Sequence, residues 1–361
     1  MGAVTENEIA EVLANVIVPD LKDNVINLGL ISGIVVKDGM VHIMVETTRE
    51  RAEIMEGVRK ECEKLAGNIS GVLNATAILT EEREKSQGND NPPPKLDLTD
   101  DERRIKAQGV SSIIAVASGK GGVGKSTTSV NIALALTRLG KKVGLMDADI
   151  YGPSIPRMMG ITGQPRSEDG STLIPMENYD VKCMSMGFMV PEEEPTIWRG
   201  PMVMSALEQM LRDVEWAPLD ILIVDMPPGT GDAQLTMAQG TELAGAIIVS
   251  TPQDIALLDA RKGLNMFRQV EVPIIGLIEN MSYYICPKCG DEAHIFDNGG
   301  AKETSEKYGC TFLGEIPLDK EIRTTSDSGR PIVVTKTSSV HSKAYMDIAT
   351  KVINEIEQLS Q

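Results

Sequence analysis

The sequence predicts an α/β protein in which a smaller α/β domain precedes a mostly parallel sheet flanked by helices. From residue 113 onward, short runs of consecutive apolar residues alternate with helical patterns. Continuous apolar strands are typical of strands buried on both faces, as in parallel sheets covered by helices. A polar stretch, residues 81–95, separates this region from residues 1–80. The chain therefore predicts two α/β domains joined by a linker.

Residues 1–80 are predicted to form the small domain. Alternating apolar runs at 34–36 and 41–45 flank Asp38 and Gly39, a pattern typical of a β-hairpin. Apolar residues at helical spacing over 50–66 predict a helix, and 72–79 predict a last strand. The charged run that follows contains three consecutive prolines, so residues 81–110 are predicted to be a linker.

Residues 111–361 are predicted to form the second domain. Strands are expected at 113–117, 143–146, 221–224, 246–249 and 274–278, with helices at 127–139 and 255–267. The stretch 341–357 places its apolar residues on one helical face. Because the opposite face is not basic, this closing helix is expected to pack on the domain and not on a membrane.

Charge and composition exclude several classes of partner. The net charge is −17, which disfavours a general affinity for nucleic acid phosphates or for anionic membranes. Aromatic residues make up 3% of the chain and leave little material for stacking on single-stranded bases. We therefore expect neither nucleic acid nor membrane as a partner.

The start of the chain and the cysteines indicate a location. The first ten residues show no basic segment followed by an apolar run, so no secretion signal is expected. No apolar run approaches the roughly 20 residues that span a bilayer. Five cysteines in 361 residues are too sparse for a disulfide framework. A reducing, cytoplasmic location is expected.

A phosphate-binding loop follows the strand 113–117. Its sequence, SGKGGVGKST, satisfies G-x-x-x-x-G-K-[S/T] and lies between a predicted strand and a predicted helix. Glycines let backbone N–H groups converge on phosphate oxygens, Lys125 reaches the β- and γ-phosphates, and Ser126 is a ligand for Mg²⁺. The candidate ATP-binding residues of this loop are Gly119, Gly121, Gly122, Val123, Gly124, Lys125, Ser126 and Thr127.

Carboxylates at two strand ends complete the predicted site. Asp147 and Asp149 follow the strand 143–146, and Asp225 follows the strand 221–224. Open α/β sheets bind ligands at the carboxyl ends of their strands. Asp147 and Asp225 are therefore candidate Mg²⁺ residues, although an aspartate at a strand end is as often a turn or helix cap. The Gly- and Pro-rich segment 226–232 is placed to sense the γ-phosphate.

A cysteine pair, Cys286 and Cys289, forms a compact knuckle with Pro287 and Gly290. Two thiols are half of a tetrathiolate site, and the chain has no second C-x-x-C. Two copies related by a two-fold axis would supply four thiolates, which suits a bridging [4Fe–4S] cluster. Three alternatives are structural zinc with His294 and Cys310, a redox pair, and two inert thiols. Cys183 and Cys310 are expected to be core residues.

GKGGVGKST, DADIYGPSIP and DMPPGTGD together resemble the deviant Walker A ATPases, a group of P-loop NTPases. ENMSYYICPKCG narrows the similarity to Mrp/NBP-type, ApbC-like iron–sulfur cluster carriers over nearly all of 110–355. The resemblance implies that Lys120 and Lys125 are both catalytic residues, and that Lys120 reaches the nucleotide of a dimer partner. It further implies that Asp149 positions the attacking water, that Asn280 contacts adenine, and that the cysteine pair holds the cluster.

The N-terminal domain resembles the small MIP18-like domain that is associated with iron–sulfur assembly. Pro19-Asp20, the segment 27–30 and the strand 41–48 follow its pattern. The cysteine that usually follows the Thr-rich strand is absent from 47–52. A docking or regulatory role is therefore expected here, without metal or persulfide chemistry.

These observations favour an ATP-hydrolysing homodimer that holds a [4Fe–4S] cluster between its cysteine pairs. Its expected partners are apo iron–sulfur proteins and cluster-assembly factors. An alternative is a MinD/ParA-like positioning ATPase with a structural zinc knuckle, and another is a reductase component with a permanent cluster. The positioning function calls for a basic face or tail, which the acidic chain does not supply.

Overall fold

A computed structural model describes residues 6–21, 23–37, 40–47, 51–69, 72, 74–81, 104–167, 172–189 and 200–359. Their contacts divide the chain into two compact units, residues 1–95 and 96–361. Most of the predicted linker, residues 82–103, lies outside the described residues. Within the described ranges, no helix has the length and apolar composition needed to cross a bilayer.

The described part of the first unit contains a three-stranded sheet, β3-β4-β5, against which two helices pack. Strands β3 and β4 pair antiparallel as the predicted hairpin, while β4 and β5 are parallel and joined by a helix. The hairpin turn, residues 38–39, lies outside the described residues. The bounds are α1 (Glu6–Leu13), β1 (Ile17–Val18), β2 (Asp23–Asn24), β3 (Ile31–Lys37), β4 (Met40–Thr47), α2 (Ala52–Gly67) and β5 (Asn74–Glu81).

The second unit alternates strands and helices through its first half. These elements are β6 (Val110–Ala117), α3 (Lys125–Arg138), β7 (Val143–Asp147), α4 (Ile155–Met158), β8 (Met176–Asn178), β9 (Val181–Ser185), α5 (Gly200–Arg212), β10 (Leu219–Asp225), α6 (Asp232–Gly240) and β11 (Gly245–Ser250). A 3-10 turn, Met186–Phe188, follows β9. Ile105 and Ala107, within the stretch predicted as linker, are buried in this unit.

The second half of this unit adds four strands and five helices among the described residues. They are α7 (Asp254–Gln269), β12 (Ile274–Asn280), β13 (Tyr284–Ile285), β14 (Glu292–Ala293), α8 (Gly300–Tyr308), β15 (Phe312–Ile316), α9 (Lys320–Asp327), α10 (Ile332–Thr335) and α11 (Val340–Leu359). The predicted closing helix is confirmed, since Tyr345, Ile348 and Val352 on α11 are buried. Strands β13 and β14 form a separate two-stranded ribbon.

An eight-stranded sheet organises the described part of this unit, in the order β15-β12-β11-β6-β10-β7-β9-β8. Its pairings are parallel except for the edge strand β8, which runs antiparallel to β9. The predicted mostly parallel sheet is confirmed.

Both faces of the sheet are buried. Along β10, Ile221 and Ile223 point into one hydrophobic cluster, whereas Leu222 and Val224 point into the other. Successive side chains of a strand lie on opposite faces, so an unbroken apolar run is what two helical layers require. This explains why the strands appear in the sequence as continuous apolar runs.

The register of the central strands brings the predicted acidic residues together. Asp225, the last residue of β10, lies opposite Val116 of β6 and Asp147 of β7. The Gly-rich loop leaves β6 one residue later. The carboxyl ends of three adjacent strands therefore meet at one edge of the sheet, where ligands bind in open α/β folds.

Candidate functional site

The Gly-rich loop, residues 118–124, connects β6 to α3. Gly124 adopts a φ of +84°, and a Cβ there would lie 2.2 Å from Asn280 Nδ2. At Gly119, a Cβ would lie 2.2 Å from the backbone carbonyl carbon of Asp259 in α7. Glycine is thus needed at both positions for the loop to pack. The predicted residues 119 and 121–127 lie in this loop and the first turn of α3, whose N-terminal N–H groups favour an anion.

Lys125 and Asp225 form a buried ion pair at the start of α3. Lys125 Nζ lies 2.8 Å from Asp225 Oδ1, and the two side chains are 6% and 0% exposed. The Ser129 hydroxyl is 2.7 Å from the same carboxylate oxygen, and the Ser126 hydroxyl is 3.2 Å from Lys125 Nζ. Asp225 Oδ2 is buried and has no hydrogen-bond partner among the described residues. That unsatisfied oxygen, close to a serine hydroxyl, fits a hard cation such as Mg²⁺.

Asp147 is satisfied by donors from the loop that follows it. Its carboxylate accepts hydrogen bonds from Asp149 N at 3.2 Å, Ser154 N at 3.0 Å, Ile155 N at 3.1 Å and the Ser185 hydroxyl at 3.2 Å. Burial, and next the charge of Asp225, raise the pKa of Asp147, while the N–H donors partly offset this. Asp147 therefore anchors the loop 148–155 to the sheet, and its contact with Mg²⁺ stays a prediction.

Asp149 is the half-buried carboxylate of this loop. Its Oδ1 accepts a hydrogen bond from Gly152 N at 3.3 Å, a long contact that leaves acceptor capacity on the side chain. Burial raises the pKa of Asp149, and the Lys125 charge partly opposes that shift. A half-buried carboxylate near the phosphate-binding lysine can orient water, which is the predicted role.

Lys120 is the third residue of the Gly-rich loop, five residues before the start of α3. It is half-buried, and its carbonyl accepts a hydrogen bond from the Ser118 hydroxyl at 3.0 Å. None of the ion pairs found across the described ranges includes Lys120. Its predicted contact with a partner's nucleotide stays a prediction.

A cavity of about 480 Å³ opens beside the first turn of α3. Its lining includes Gly124 and Thr127, Asn280 and Met281, and residues 317–319. Asn280 Nδ2 donates a hydrogen bond to Val123 O at 2.8 Å, so this residue joins the loop to the cavity wall. The position next to the phosphate loop suits a nucleoside, in line with the predicted adenine contact.

Sequence reasoning missed the rest of this cavity. Arg157 of α4 and Arg323 of α9 line it, together with Asp319, which caps α9 by accepting a hydrogen bond from Glu321 N at 2.6 Å. These residues come from segments that are far apart in the chain, and none belongs to a recognisable motif. Asp319 and Asp327 also line the cavity, and Arg323 Nη1 lies 3.8 Å from Asp327 Oδ2, so two carboxylates balance the two guanidinium groups.

The cysteine pair lies on the turn of the β13–β14 ribbon, residues 284–293. Cys286 N donates to Asp291 O at 2.9 Å, and Gly290 N donates to Cys286 O at 2.8 Å. Gly290 closes this turn with a φ of +76°. Cys286 is half-buried and Cys289 is exposed. Hydrogen bonding from the backbone N–H of Cys289, then of Lys288, lowers the pKa of Cys286, which favours the thiolate that binds metal.

The zinc ligands of the alternative hypothesis are not assembled in this chain. Among the described residues, one group of three metal-binding side chains lies within 4.8 Å, and it contains neither cysteine of the pair. His294 faces Ser282 O at 3.4 Å and Glu292 at 3.6 Å. Cys310 is half-buried against the core and approaches Ser305 O at 3.8 Å, and Cys183 is fully buried. The core prediction is confirmed for Cys183, whereas Cys310 is only partly buried at the edge of the core. The cysteine pair remains a two-ligand site among the described residues.

Comparison with known proteins assigns both units. The family described as NUBPL iron-transfer P-loop NTPase matches residues 109–353. The family described as iron–sulfur cluster assembly protein matches residues 6–77.

Individual relatives agree with the family matches. A Dictyostelium discoideum protein named iron–sulfur cluster transfer protein NUBPL is 55% identical over 256 residues, which are 70% of this chain and 79% of that protein. The iron–sulfur cluster carrier protein of a Synechocystis strain is 40% identical over 98% of both chains. A solved nucleotide-binding protein from Archaeoglobus fulgidus, in complex with ADP, is 38% identical with a TM-score of 0.57. It covers 67% of this chain and 95% of its own length.

Proposed function

The chain belongs to the NUBPL-type iron-transfer P-loop NTPases, and from that premise we propose that it is an ATP-hydrolysing iron–sulfur cluster carrier. In this proposal two copies hold one [4Fe–4S] cluster between their Cys286 and Cys289 pairs and deliver it to apo-proteins. Cluster-assembly factors would load it. The resemblance to Mrp/NBP-type carriers and the predicted P-loop NTPase fold are confirmed by the family match.

One observation supports the shared cluster most directly. Each chain offers two neighbouring thiols on a solvent-facing turn, and no third cysteine, histidine or carboxylate among the described residues joins them. A [4Fe–4S] cluster takes four thiolates, which a two-fold contact between identical turns supplies. The lowered pKa of Cys286 supports thiolate ligation. An exposed, shared site also lets the cargo leave, which a carrier requires.

The phosphate loop and the first turn of α3 would bind ATP. Lys125 is within reach of the β- and γ-phosphates, and the N–H groups at the start of α3 would bind phosphate oxygens. Ser126 and Asp225 would hold Mg²⁺, because Asp225 Oδ2 is buried without a partner in the described structure. Mg²⁺, when bound with ATP, supplies neutralisation of phosphate charge. Asn280, Arg157 and Arg323 would hold the nucleoside part in the cavity.

Hydrolysis would use Asp149, which follows β7, and Lys120 of the phosphate loop. Asp149 would orient the attacking water, since its carboxylate keeps free acceptor capacity and is half-buried. Lys120 has no ion-pair partner in the described part of the chain, which leaves its charge available to a nucleotide across the dimer. Lys120 would act in this way only when two copies face each other.

The N-terminal unit would serve docking or regulation. It matches the iron–sulfur cluster assembly family over residues 6–77. Its one cysteine, Cys62, is fully buried, and burial raises the pKa of that thiol to about 11. Such a thiol is a core residue, so we infer that this unit does not hold the cargo itself. We place the division between the two units near residue 95, since Ile105 and Ala107 of the predicted linker pack in the second unit. We also place the protein in the cytoplasm, where free thiols stay reduced.

Single cysteine variants test this function. Cys286→Ala and Cys289→Ala should each abolish iron binding after anaerobic reconstitution and abolish activation of an apo-acceptor. ATP hydrolysis should remain measurable, because the thiols and the phosphate loop are in different segments. His294→Ala and Cys310→Ala are matched controls and should keep both iron and transfer. Loss of metal in the controls, with zinc in the native protein, would contradict the carrier proposal and favour a structural knuckle.

A further inference from the structure

The segment 279–282 contains the last two residues of β12 and leads from the proposed nucleotide site toward the cysteine ribbon. Asn280, the last residue of β12, holds the phosphate loop through Val123 O at 2.8 Å. Three residues further along, Tyr283 O accepts a hydrogen bond from Leu318 N at 2.7 Å, and Leu318 lines the nucleotide cavity. The cysteine ribbon begins at Tyr284. One short piece of chain thus contacts the nucleotide site and starts the ribbon that bears the thiols.

Glu279 fastens both ends of the excursion 281–299 that contains the ribbon. Its Oε1 accepts a hydrogen bond from the Ser282 hydroxyl at 2.6 Å, at the start of the excursion, and from Gly299 N at 2.9 Å, at its end. Its Oε2 accepts one from Ala301 N at 2.8 Å, in the first turn of α8. Glu279 is fully buried, and these three donors, one hydroxyl and two backbone N–H groups, are uncharged. Each of these bonds is therefore costly to leave unmade.

Met281 shows that the segment is held under strain. It adopts a φ of +59°, a region that a long side chain rarely occupies. Such residues cost about 1–3 kcal/mol and persist where the surroundings over-determine the conformation. The surroundings here are the Asn280 contact on one side and the Glu279–Ser282 contact on the other. These two contacts are therefore restraints that hold Met281 in this conformation.

We propose that Glu279 is a positioning residue that couples nucleotide binding to the geometry of the cysteine turn. The proposal rests on the proposed function. A shift of the phosphate loop on nucleotide binding would displace Asn280 and, through the strained Met281, the Ser282 end of the excursion. Because Glu279 also holds Gly299 and Ala301, the ribbon would move as one body and change the exposure of both thiols. Without the Glu279 contacts, the same displacement would be absorbed at residue 282.

Thiol labelling of the apo full chain tests the coupling without any cluster. Iodoacetamide labels Cys286 and Cys289, and mass spectrometry of their peptides gives a rate for each with and without Mg-ADP. In the wild-type chain, ADP should change these rates by about fivefold or more, the usual lower range of allosteric coupling. In Glu279→Gln, the side chain keeps its shape, but its NH2 replaces one of the two acceptor oxygens and faces the N–H of either Gly299 or Ala301, so the ratio should fall to within about twofold of unity. ADP affinity should stay within about threefold of wild type.

A matched control makes the same charge change at a glutamate that does not hold the excursion 281–299. Glu303→Gln alters an exposed glutamate in the first turn of α8 and should keep the wild-type ratio. If Glu279→Gln does not fold, Ser282→Ala removes one of the three donors, and a full wild-type ratio in that variant overturns the proposal.

Three further outcomes also overturn it: no effect of ADP on the wild-type chain, an unchanged ratio in Glu279→Gln, or loss of ADP binding in that variant. Labelling that responds to ADP in a chain that binds no iron would refute the carrier function and leave the coupling intact. Iron binding without an ADP effect on labelling would refute the coupling and leave the carrier function intact.

Discussion

Removing one member of the buried pair Lys125–Asp225 should destabilise the ATPase unit strongly. In Lys125→Met, the Asp225 carboxylate stays fully buried, with the Ser129 hydroxyl as a donor and Oδ2 without a partner in the described residues. Removing one member of a buried ion pair costs about 3–5 kcal/mol, because it leaves an uncompensated charge. For a unit of this size, that corresponds to a drop in Tm of about 6–20 °C.

A second variant separates the charge effect from the loss of packing. Lys125→Met combined with Asp225→Asn removes both charges and should recover at least about 2 kcal/mol of the loss. Neither variant should bind ATP, because the phosphate charge has lost its cationic partner in both. The double variant is therefore expected to recover stability without recovering ATP binding.

Tryptophan fluorescence during urea unfolding measures this unit specifically. The chain has two tryptophans, both within residues 96–361, and Trp216 is fully buried with its Nε1 donating to Met210 O at 2.9 Å. The titration is run without nucleotide, since bound ligand would add its own stabilisation. A Lys125→Met variant as stable as wild type would refute the reasoning. So would a double variant that is no more stable than the single one.

Three further predictions address turnover, domain independence and thiol chemistry. Asp149→Ala should keep ATP affinity and abolish turnover, and a parallel loss of affinity would instead move Asp149 into the Mg²⁺ shell. Deleting residues 1–95 should leave a cooperative melt and ATP binding, because the chain divides into two compact units near residue 95; loss of the melt would show a shared core. In the apo chain, the pKa of Cys286 lies below its ordinary value, so its alkylation rate should reach its plateau at a lower pH than that of Cys310, whose pKa is raised by burial. Identical pH profiles for the two thiols would contradict that order.

The sequence was sufficient where one short segment determines the structure. The phosphate loop needs its glycines at fixed spacing because Gly124 takes a left-handed φ and Gly119 touches another helix. Unbroken apolar strands implied burial on both faces, and β10 confirms it residue by residue. The sequence also indicated that Cys286 and Cys289 form a site with two thiol ligands, because the two cysteines are close in sequence and the chain has no second C-x-x-C.

Features that depend on distant segments could not be predicted. In the sequence, Glu279 looks like an ordinary glutamate near a strand end. In the structure it is fully buried and accepts hydrogen bonds from three donors within residues 282–301. Asp147 looks like a metal ligand, yet the loop behind it supplies donors to its carboxylate. The arginines of the nucleotide cavity come from two helices with no motif of their own. In each case the contact partner is set by the tertiary fold and not by local spacing.

Iron stoichiometry against oligomeric mass tests the central claim most directly. The full chain, reconstituted anaerobically with iron and sulfide, is passed through size exclusion with light scattering, and iron is counted in each fraction. The shared cluster predicts about four irons per dimer, with broad visible absorption, and no iron in the monomer fraction. One tightly held zinc per monomer, without visible absorption and not displaced by iron, would contradict the carrier account.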